Sequence, residues 1–419
     1  MKNILVFPCG SEVGLEIKKS LEFSKDFKIY GASSVDDHGK FVYEDYIGGM
    51  PFVDDDKFID SMEDVIKKYS IDFVFPAHDS AVLKLSQCQD KLSAIIVTSP
   101  LETCKICRSK VETYKVFRDI INTPITFGVM DNLKFPIFAK PDVGQGSKGI
   151  SKISSVEELR FLIKKDKSLM LLEYLPGKEY TIDCFTDNKG ELLFVQGRER
   201  VRVSNGISVN SKLADNSLFL EIAKKINSTL VFRGVWFFQV KENANKKLIL
   251  LEIAPRVAGT MALSRIRGVN LPLLSLYDFM GINVSILMNS FEVEIDRALS
   301  EKYKTNIAYD NMYIDFDDTL IIDNKSVNLK AISLVYECIN KNKSVFLITK
   351  HAEDVYKSLE WYKISTSIFT EIIHLKDGEQ KFDFIKPNSI FVDDSFSERR
   401  SVLEKMEIPV FDLSGIDCL

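Results

Sequence analysis

Short apolar runs separated by amphipathic stretches set the rhythm of this chain. Residues 4–7 (Ile-Leu-Val-Phe) read as a buried parallel strand, and the loop from Pro8 to Gly14 leads into a helix. Further strands are expected at 27–31, 72–75 and 94–97, alternating with helical patterns such as Phe58–Tyr69. That alternation predicts an open parallel sheet, whose ligands sit beyond the C-terminal strand ends. Those ends carry Gly10 and Ser11, then Ser33 and Ser34, then His78, Asp79 and Ser80. Each alone is an ordinary turn residue; together they make the best candidate for a substrate pocket. The glycines after the first strand fall short of G-x-G-x-x-G, which argues against a dinucleotide site.

Ser99-Pro100 opens a helical stretch that includes Ser109 and Lys110, and strands and helices then alternate to about residue 290. The piece Asn289–Thr305 is polar and charged, and it separates two different vocabularies, so a domain boundary is expected there. With 419 residues, two or three domains are expected. Hydrophobic residues make up 45% and charged ones 27%, as in ordinary soluble proteins, and a net charge of −5 argues against a nucleic-acid-binding surface. No apolar run approaches bilayer length and residues 1–10 lack a signal-peptide pattern, so a cytoplasmic protein without membrane contact is expected. Seven scattered cysteines fit reduced thiols. Cys104 and Cys107 have C-x-x-C spacing, but no second pair accompanies them, and His38, His78, His351 and His374 show no ligand spacing.

The stretch 135–150 changes the picture. An apolar run delivers Lys140, and a loop with Gly144, Gly146, Ser147 and Gly149 follows at once. Glycines let backbone N–H groups close on phosphate oxygens, and the lysine adds positive charge. Downstream come Leu171-Leu-Glu173-Tyr-Leu-Pro-Gly177-Lys-Glu179 and Leu250-Leu-Glu252-Ile-Ala-Pro-Arg256. This ordered set resembles the ATP-grasp superfamily, in particular carboxylate–amine ligases related to the large subunit of carbamoyl phosphate synthetase. The resemblance implies ATP and Mg2+ as cofactors. It implies that Lys110 and Lys140 reach the phosphates from two sides and that Glu173, Tyr174 and Leu175 line the adenine. Glu179 would accept from the ribose, Gln239 and Glu252 would bind the metal, and Arg256 would steady the acyl phosphate. The family's Glu-x-Asn-Pro-Arg pattern has Ala254 in place of Asn, so one side-chain metal ligand is missing. Arg198, Arg200 and Arg202 share one face of a strand and read either as a solvated edge or as an anion-binding face.

A second constellation lies near the C-terminus. An apolar strand ends in Asp315 and Asp317 with Thr319 following, Val345–Thr349 is a strand ending in a hydroxyl, Lys381 starts a helix, and Ser389–Val392 leads into Asp393 and Asp394. The order resembles the haloacid dehalogenase superfamily. By that resemblance Asp315 is the nucleophile and Asp317 the general acid and base, while Thr349 and Lys381 hold phosphoryl oxygens, with Lys376 a near alternative to Lys381. Asp393 and Asp394, with Asp315 and Asp317, would hold Mg2+. The gaps between motifs leave no room for a cap domain.

The expected fold is therefore multidomain, α/β and α+β. It has a Rossmann-like pre-ATP-grasp domain over 1–100, an ATP-grasp domain over 101–290 and a haloacid-dehalogenase-like Rossmannoid domain over 306–419. The expected function is bifunctional, an ATP-dependent carboxylate–amine ligase joined to a Mg2+-dependent phosphatase, acting in small-molecule or surface-sugar modification. Its partners are a small-molecule carboxylate, an amine and a phosphate ester, and a homodimer is left open. Two alternatives stay open as well: a nucleotide-sensing grasp domain that regulates the phosphatase, and phosphoryl transfer without ligation.

Overall fold

The opening apolar run forms β1 (Lys2–Phe7), the middle strand of a parallel sheet with β2 (Phe27–Ala32), β3 (Asp45–Ile47), β4 (Phe73–Pro76) and β5 (Ile95–Ile96). The order is β3-β2-β1-β4-β5. Strand β3 is half-buried and three residues long, which is why the apolar pattern does not reveal it. The helix Glu12–Leu21 (α1) follows β1, capped by Ser11, whose Oγ accepts from the Gly14 N–H at 3.0 Å. A Cβ on Gly14 would lie 2.4 Å from the Cys9 carbonyl oxygen, so only glycine lets α1 start this close to the end of β1. The computed structural model describes residues 1–128, 133–144 and 149–419, which divide into two units, Met1–Leu299 and Ser300–Leu419.

Two further sheets complete the first unit. A small one contains β6 (Thr126–Phe127), β7 (Ile137–Lys140), β8 (Ser151–Ile153) and β9 (Met170–Glu173), in the order β6-β9-β7-β8. A larger antiparallel one contains β10 (Glu179–Thr186), β11 (Leu192–Ser204), β12 (Ile207–Leu213), β13 (Gly234–Glu242), β14 (Leu248–Ala254) and β15 (Glu294–Asp296), in the order β14-β13-β10-β11-β12-β15. Alternation along β13 sets its two faces. Phe237 joins Ile4, Val6, Phe75 and Ala254 in a cluster shared with the first sheet, while Trp236 and Phe238 pack with Phe219, Ala223 and Ile226 on the other side. Strand β15 lies inside the polar stretch 289–305 and is held by pairing with β12, Asn210 opposite Asp296.

The second unit is a parallel sheet of β16 (Asn311–Ile314), β19 (Ser344–Thr349), β20 (Glu371–His374), β21 (Ser389–Val392) and β22 (Val410–Phe411), with a hairpin of β17 (Ile321–Ile322) and β18 (Ser326–Val327) after the first strand. The order is β20-β19-β16-β21-β22, so β16 is central and flanked by β19 and β21. Met312 and Ile314 pack on one face and Tyr313 on the other. Ile314 lies opposite Val392, which makes Asp315 and Asp393 leave the sheet at the same edge. Lys381 begins not a helix but a four-residue 3-10 turn, Lys381–Phe384. Among the described residues no helix is long and apolar enough to cross a membrane.

Candidate functional site

Strand β7 ends on Lys140, whose buried ammonium donates to Tyr114 Oη at 2.7 Å, and Tyr114 donates in turn to the Leu251 carbonyl at 2.8 Å. Burial, reinforced by the Lys110 charge, pulls Lys140 down from an ordinary lysine value to about 8, with Glu252 and Glu179 acting the other way. Lys110 donates to the Asp142 carbonyl at 3.0 Å. Around them is a cavity of about 190 Å³, lined by Lys110, Lys140, Gly144, Glu173, Tyr174, Leu175, Glu179, Gln239 and Glu252. Gln239 and Glu252 are direct cross-strand partners, which puts both side chains on one face of the sheet. Gly149 has φ +74°, a conformation that favours glycine, while Gly146 and Ser147 lie outside the described residues. Glu179 faces Arg200 at 2.8 Å and Lys241 at 3.2 Å.

A second cavity, of about 220 Å³, adjoins the first and shares Arg200, Gly206, Gln239 and Glu252 with it. Ser11, His78 and Asp79 from the first sheet line it, but Gly10, Ser33, Ser34 and Ser80 do not. Ser33 is buried and donates to Asp37 at 2.9 Å, Ser34 donates to the Pro51 carbonyl at 2.9 Å, and Ser80 accepts from Arg108 at 3.1 Å. Arg256 lines the cavity while forking onto Asp79 at 2.6 and 2.8 Å, an attraction that holds the Asp79 carboxyl below the usual range despite its burial. The three alternating arginines do not make one anion-binding face. Arg198 is fully buried and committed to Asp183 at 2.8 and 3.1 Å and to Thr260, Arg200 faces Glu179, and Arg202 is exposed and bonded to Asp296. Register shifts flank residue 202, so the period-two argument fails there. Ala254 lines neither cavity and is buried in the apolar cluster with Phe237.

In the second unit Lys381 sits between two acids, 2.6 Å from Asp315 and 2.7 Å from Asp393, all three buried. Burial pushes Asp315 and Asp393 above the usual carboxylate range, and Lys381 opposes it. Burial alone would lower the lysine, yet the two acids hold it above its ordinary value. Lys376 is exposed, and its backbone N–H donates to the Glu379 carboxylate at 2.7 Å. Asp315, Asp393 and Asp394 offer oxygens within 4.8 Å of one another, a hard donor set that fits magnesium. Asp317 stands outside that cluster, with its carboxylate on His351 Nδ1 at 2.8 and 3.1 Å. Thr349 is buried at the end of β19, and its Oγ accepts from the His351 N–H at 3.1 Å. Asp318, on the turn after Asp317, adopts φ +51°.

Residues 165–297 match the model of a family described as "ATP-grasp in the biosynthetic pathway with Ter operon". A 161-residue segment is 29% identical to a D-alanine–D-alanine ligase of Natranaerobius thermophilus, covering 37% of this chain and 42% of that protein. The chain thus spans about two fifths of that relative, and 34% of a second D-alanine–D-alanine ligase, from Petrotoga mobilis. Among solved structures, the biotin carboxylase domain of Hydrogenobacter thermophilus 2-oxoglutarate carboxylase, in complex with MgADP, ADP and bicarbonate, superposes with a TM-score of 0.57 at 13% identity, over 68% of this chain and 71% of that one. The first unit has an ATP-grasp fold. An L-amino acid ligase from Bacillus licheniformis shares it, with a TM-score of 0.53 and 17% identity over 66% of this chain and 73% of the ligase.

In the ATP-grasp unit the sequence reading missed Tyr114, Thr181 and Arg297. Thr181 is buried against the second cavity with no hydrogen-bond partner for its hydroxyl among the described residues, and Arg297, just past β15, reaches Glu12 at 2.8 Å beside the same cavity. The 133-residue family match ending at 297 places that arginine inside the matched region. Cys104 and Cys107 lie buried on the helix Leu101–Arg108, where burial pushes both thiols up, and among the described residues they belong to no cluster of metal-ligating side chains.

Proposed function

We propose that the first unit is an ATP-dependent carboxylate–amine ligase. The observation that carries this reading is the pair of adjoining cavities with a common wall of Arg200, Gly206, Gln239 and Glu252. One cavity presents two lysines and an apolar hinge, which suits a nucleoside triphosphate; the other, at the strand ends, suits the acceptor. Glu252 and Gln239 supply hard oxygens at the wall, where magnesium would neutralise charge on the phosphates. In this reading the carboxylate oxygen attacks the γ-phosphorus and ADP leaves. The amine then attacks the acyl carbon, phosphate leaves, and the amine gives up a proton. Lys110 and Lys140 hold the phosphates in line while the cavity excludes water. Relatives bearing ligase names support it. The test is a screen of carboxylates and amines for ADP release with an amide product seen by mass spectrometry. Lys140→Ala and Glu252→Ala should each abolish it, and ADP release unchanged in Lys140→Ala would refute the site.

A phosphohydrolase reading of the second unit is favoured by one arrangement: Lys381 between Asp315 and Asp393, with Asp317 two residues beyond the first acid. Asp315 would attack phosphorus while Asp317 protonates the departing oxygen; Asp317 would then take a proton from the water that hydrolyses the aspartyl phosphate, restoring Asp315. Magnesium, when bound to Asp315, Asp393 and Asp394, would screen the repulsion between nucleophile and phosphate. Lys381 and Thr349 would hold the phosphoryl oxygens. Asp315→Asn should stop phosphate release from simple esters with ligase turnover intact, and persistent release would point to another nucleophile.

A further inference from the structure

His351 ties two parts of the second site together. Its Nδ1 meets both oxygens of Asp317 at 2.8 and 3.1 Å, and its Nε2 meets Ser358 Oγ at 2.9 Å. The ring lies edge-on to Phe316 with centroids 4.8 Å apart, and its side chain is 10% exposed. From below, His374 Nε2 bonds the His351 carbonyl at 2.7 Å. A ring fixed at both nitrogens and packed on an aromatic has one orientation. Asp317 is the opposite case, since its side chain is 41% exposed and sits on the turn after β16. Among the described residues His351 is the one side chain that hydrogen-bonds it. An exposed aspartate without a partner spreads over three χ1 wells, and a proton-transfer group must stay within hydrogen-bond reach of the oxygen it serves.

We propose that His351 is the positioning residue for Asp317, holding that carboxyl where it serves the departing oxygen, in a chain that runs Ser358–His351–Asp317. The proposal rests on the phosphohydrolase reading and adds a residue to it. The same residue also sets the second hydroxyl of the site. Its backbone N–H donates to Thr349 Oγ at 3.1 Å, which leaves the Thr349 proton free to donate to another acceptor. Backbone and ring of one residue thus contact both Thr349 and Asp317. The backbone contact survives a side-chain substitution, which lets the two roles be separated.

Leaving-group chemistry isolates the role. A p-nitrophenolate departs without help, whereas an alkoxide needs its proton in the transition state. The parameter kcat/KM reports steps only as far as that departure. The experiment uses the full-length chain with Mg2+, comparing p-nitrophenyl phosphate with glycerol 2-phosphate in wild type, His351→Ala, His351→Asn and Asp315→Asn. His351→Ala is expected to lower kcat/KM for the alkyl ester by about tenfold or more, against about threefold or less for the aryl ester, because positioned acids contribute roughly a hundredfold or more. His351→Asn, whose amide nitrogen sits near the Nδ1 position, should recover most of the alkyl-ester activity. Equal losses on the two esters overturn the role of His351 while leaving the phosphohydrolase reading standing. A wild type no more active than Asp315→Asn on either ester overturns that reading, and the proposal with it. Activity on the aryl ester doubles as the check that His351→Ala is folded.

Discussion

In the proposed ligase, the buried Lys140 should make nucleotide binding by the first unit pH-dependent in a range where an ordinary lysine would be silent. A lysine near 10.5 remains charged through pH 9. Lys140, drawn down to about 8 by burial and by Lys110, loses its proton within that range. A bound phosphate chain favours the charged form, so binding takes up the missing proton. With the bound state fully protonated, the apparent Kd scales as one plus ten to the power of pH minus pKa. That factor is about 1 at pH 7 and about 10 at pH 9, roughly 1.4 kcal/mol of lost affinity. Titration calorimetry of ADP with Mg2+ at fixed ionic strength reads both quantities. Affinity should fall about tenfold from pH 7 to pH 9, and buffers of different ionisation enthalpy should reveal nearly one proton taken up per site at the upper end. Lys140→Met should bind more weakly and lose the pH dependence. Without ligand its melting temperature at pH 7 should be higher than that of wild type, because a buried charge beside Lys110 is removed. Wild-type affinity that is flat from pH 7 to 9, or a decline that persists in Lys140→Met, would refute the reasoning.

Three other substitutions probe the same physics. Arg198→Met strands Asp183 in the interior and should cost about 3–5 kcal/mol in urea unfolding, most of it recovered by adding Asp183→Leu. Lys381→Met leaves Asp315 and Asp393 facing each other unpaired; the second unit should melt earlier, and Mg2+ should raise its melting temperature more than it does in wild type. Ala254→Asn puts an amide into an apolar cluster, so a loss of about 1–3 kcal/mol in stability is expected, with no gain in Mg2+ affinity by calorimetry.

Much of the frame was legible because it rests on local pattern. The runs at 4–7, 27–31 and 72–75 are strands, and Phe58–Tyr69 is a helix with the bounds expected of it. Lys140, Glu252 and the paired acids of the second unit stand beside apolar strands, where periodicity points at them. What stayed hidden depends on contacts distant in sequence. His351 meets Asp317 across 34 residues, and nothing in the spacing of four histidines announces it. Arg297 belongs to a polar stretch that gains a strand only by adding to an existing sheet edge. The failure of the arginine row has a similar source: alternation assigns a face only while the register holds, and here it slips at residue 202. Ala254 was read from a motif, whereas its surroundings are set by the first sheet packing beneath it.

The wall between the two cavities of the first unit has a consequence for how such a site can change over generations. Arg200 and Glu252 face both chambers, so in the proposed ligase a mutation there would alter the fit of nucleotide and acceptor at once. Ser208 and Arg297, outside the shared wall, touch the second chamber alone. In that reading, drift in acceptor preference is expected to accumulate at such residues, with the dividing residues held constant. Directed evolution of a new acceptor range should start its libraries there, where nucleotide affinity is not at stake.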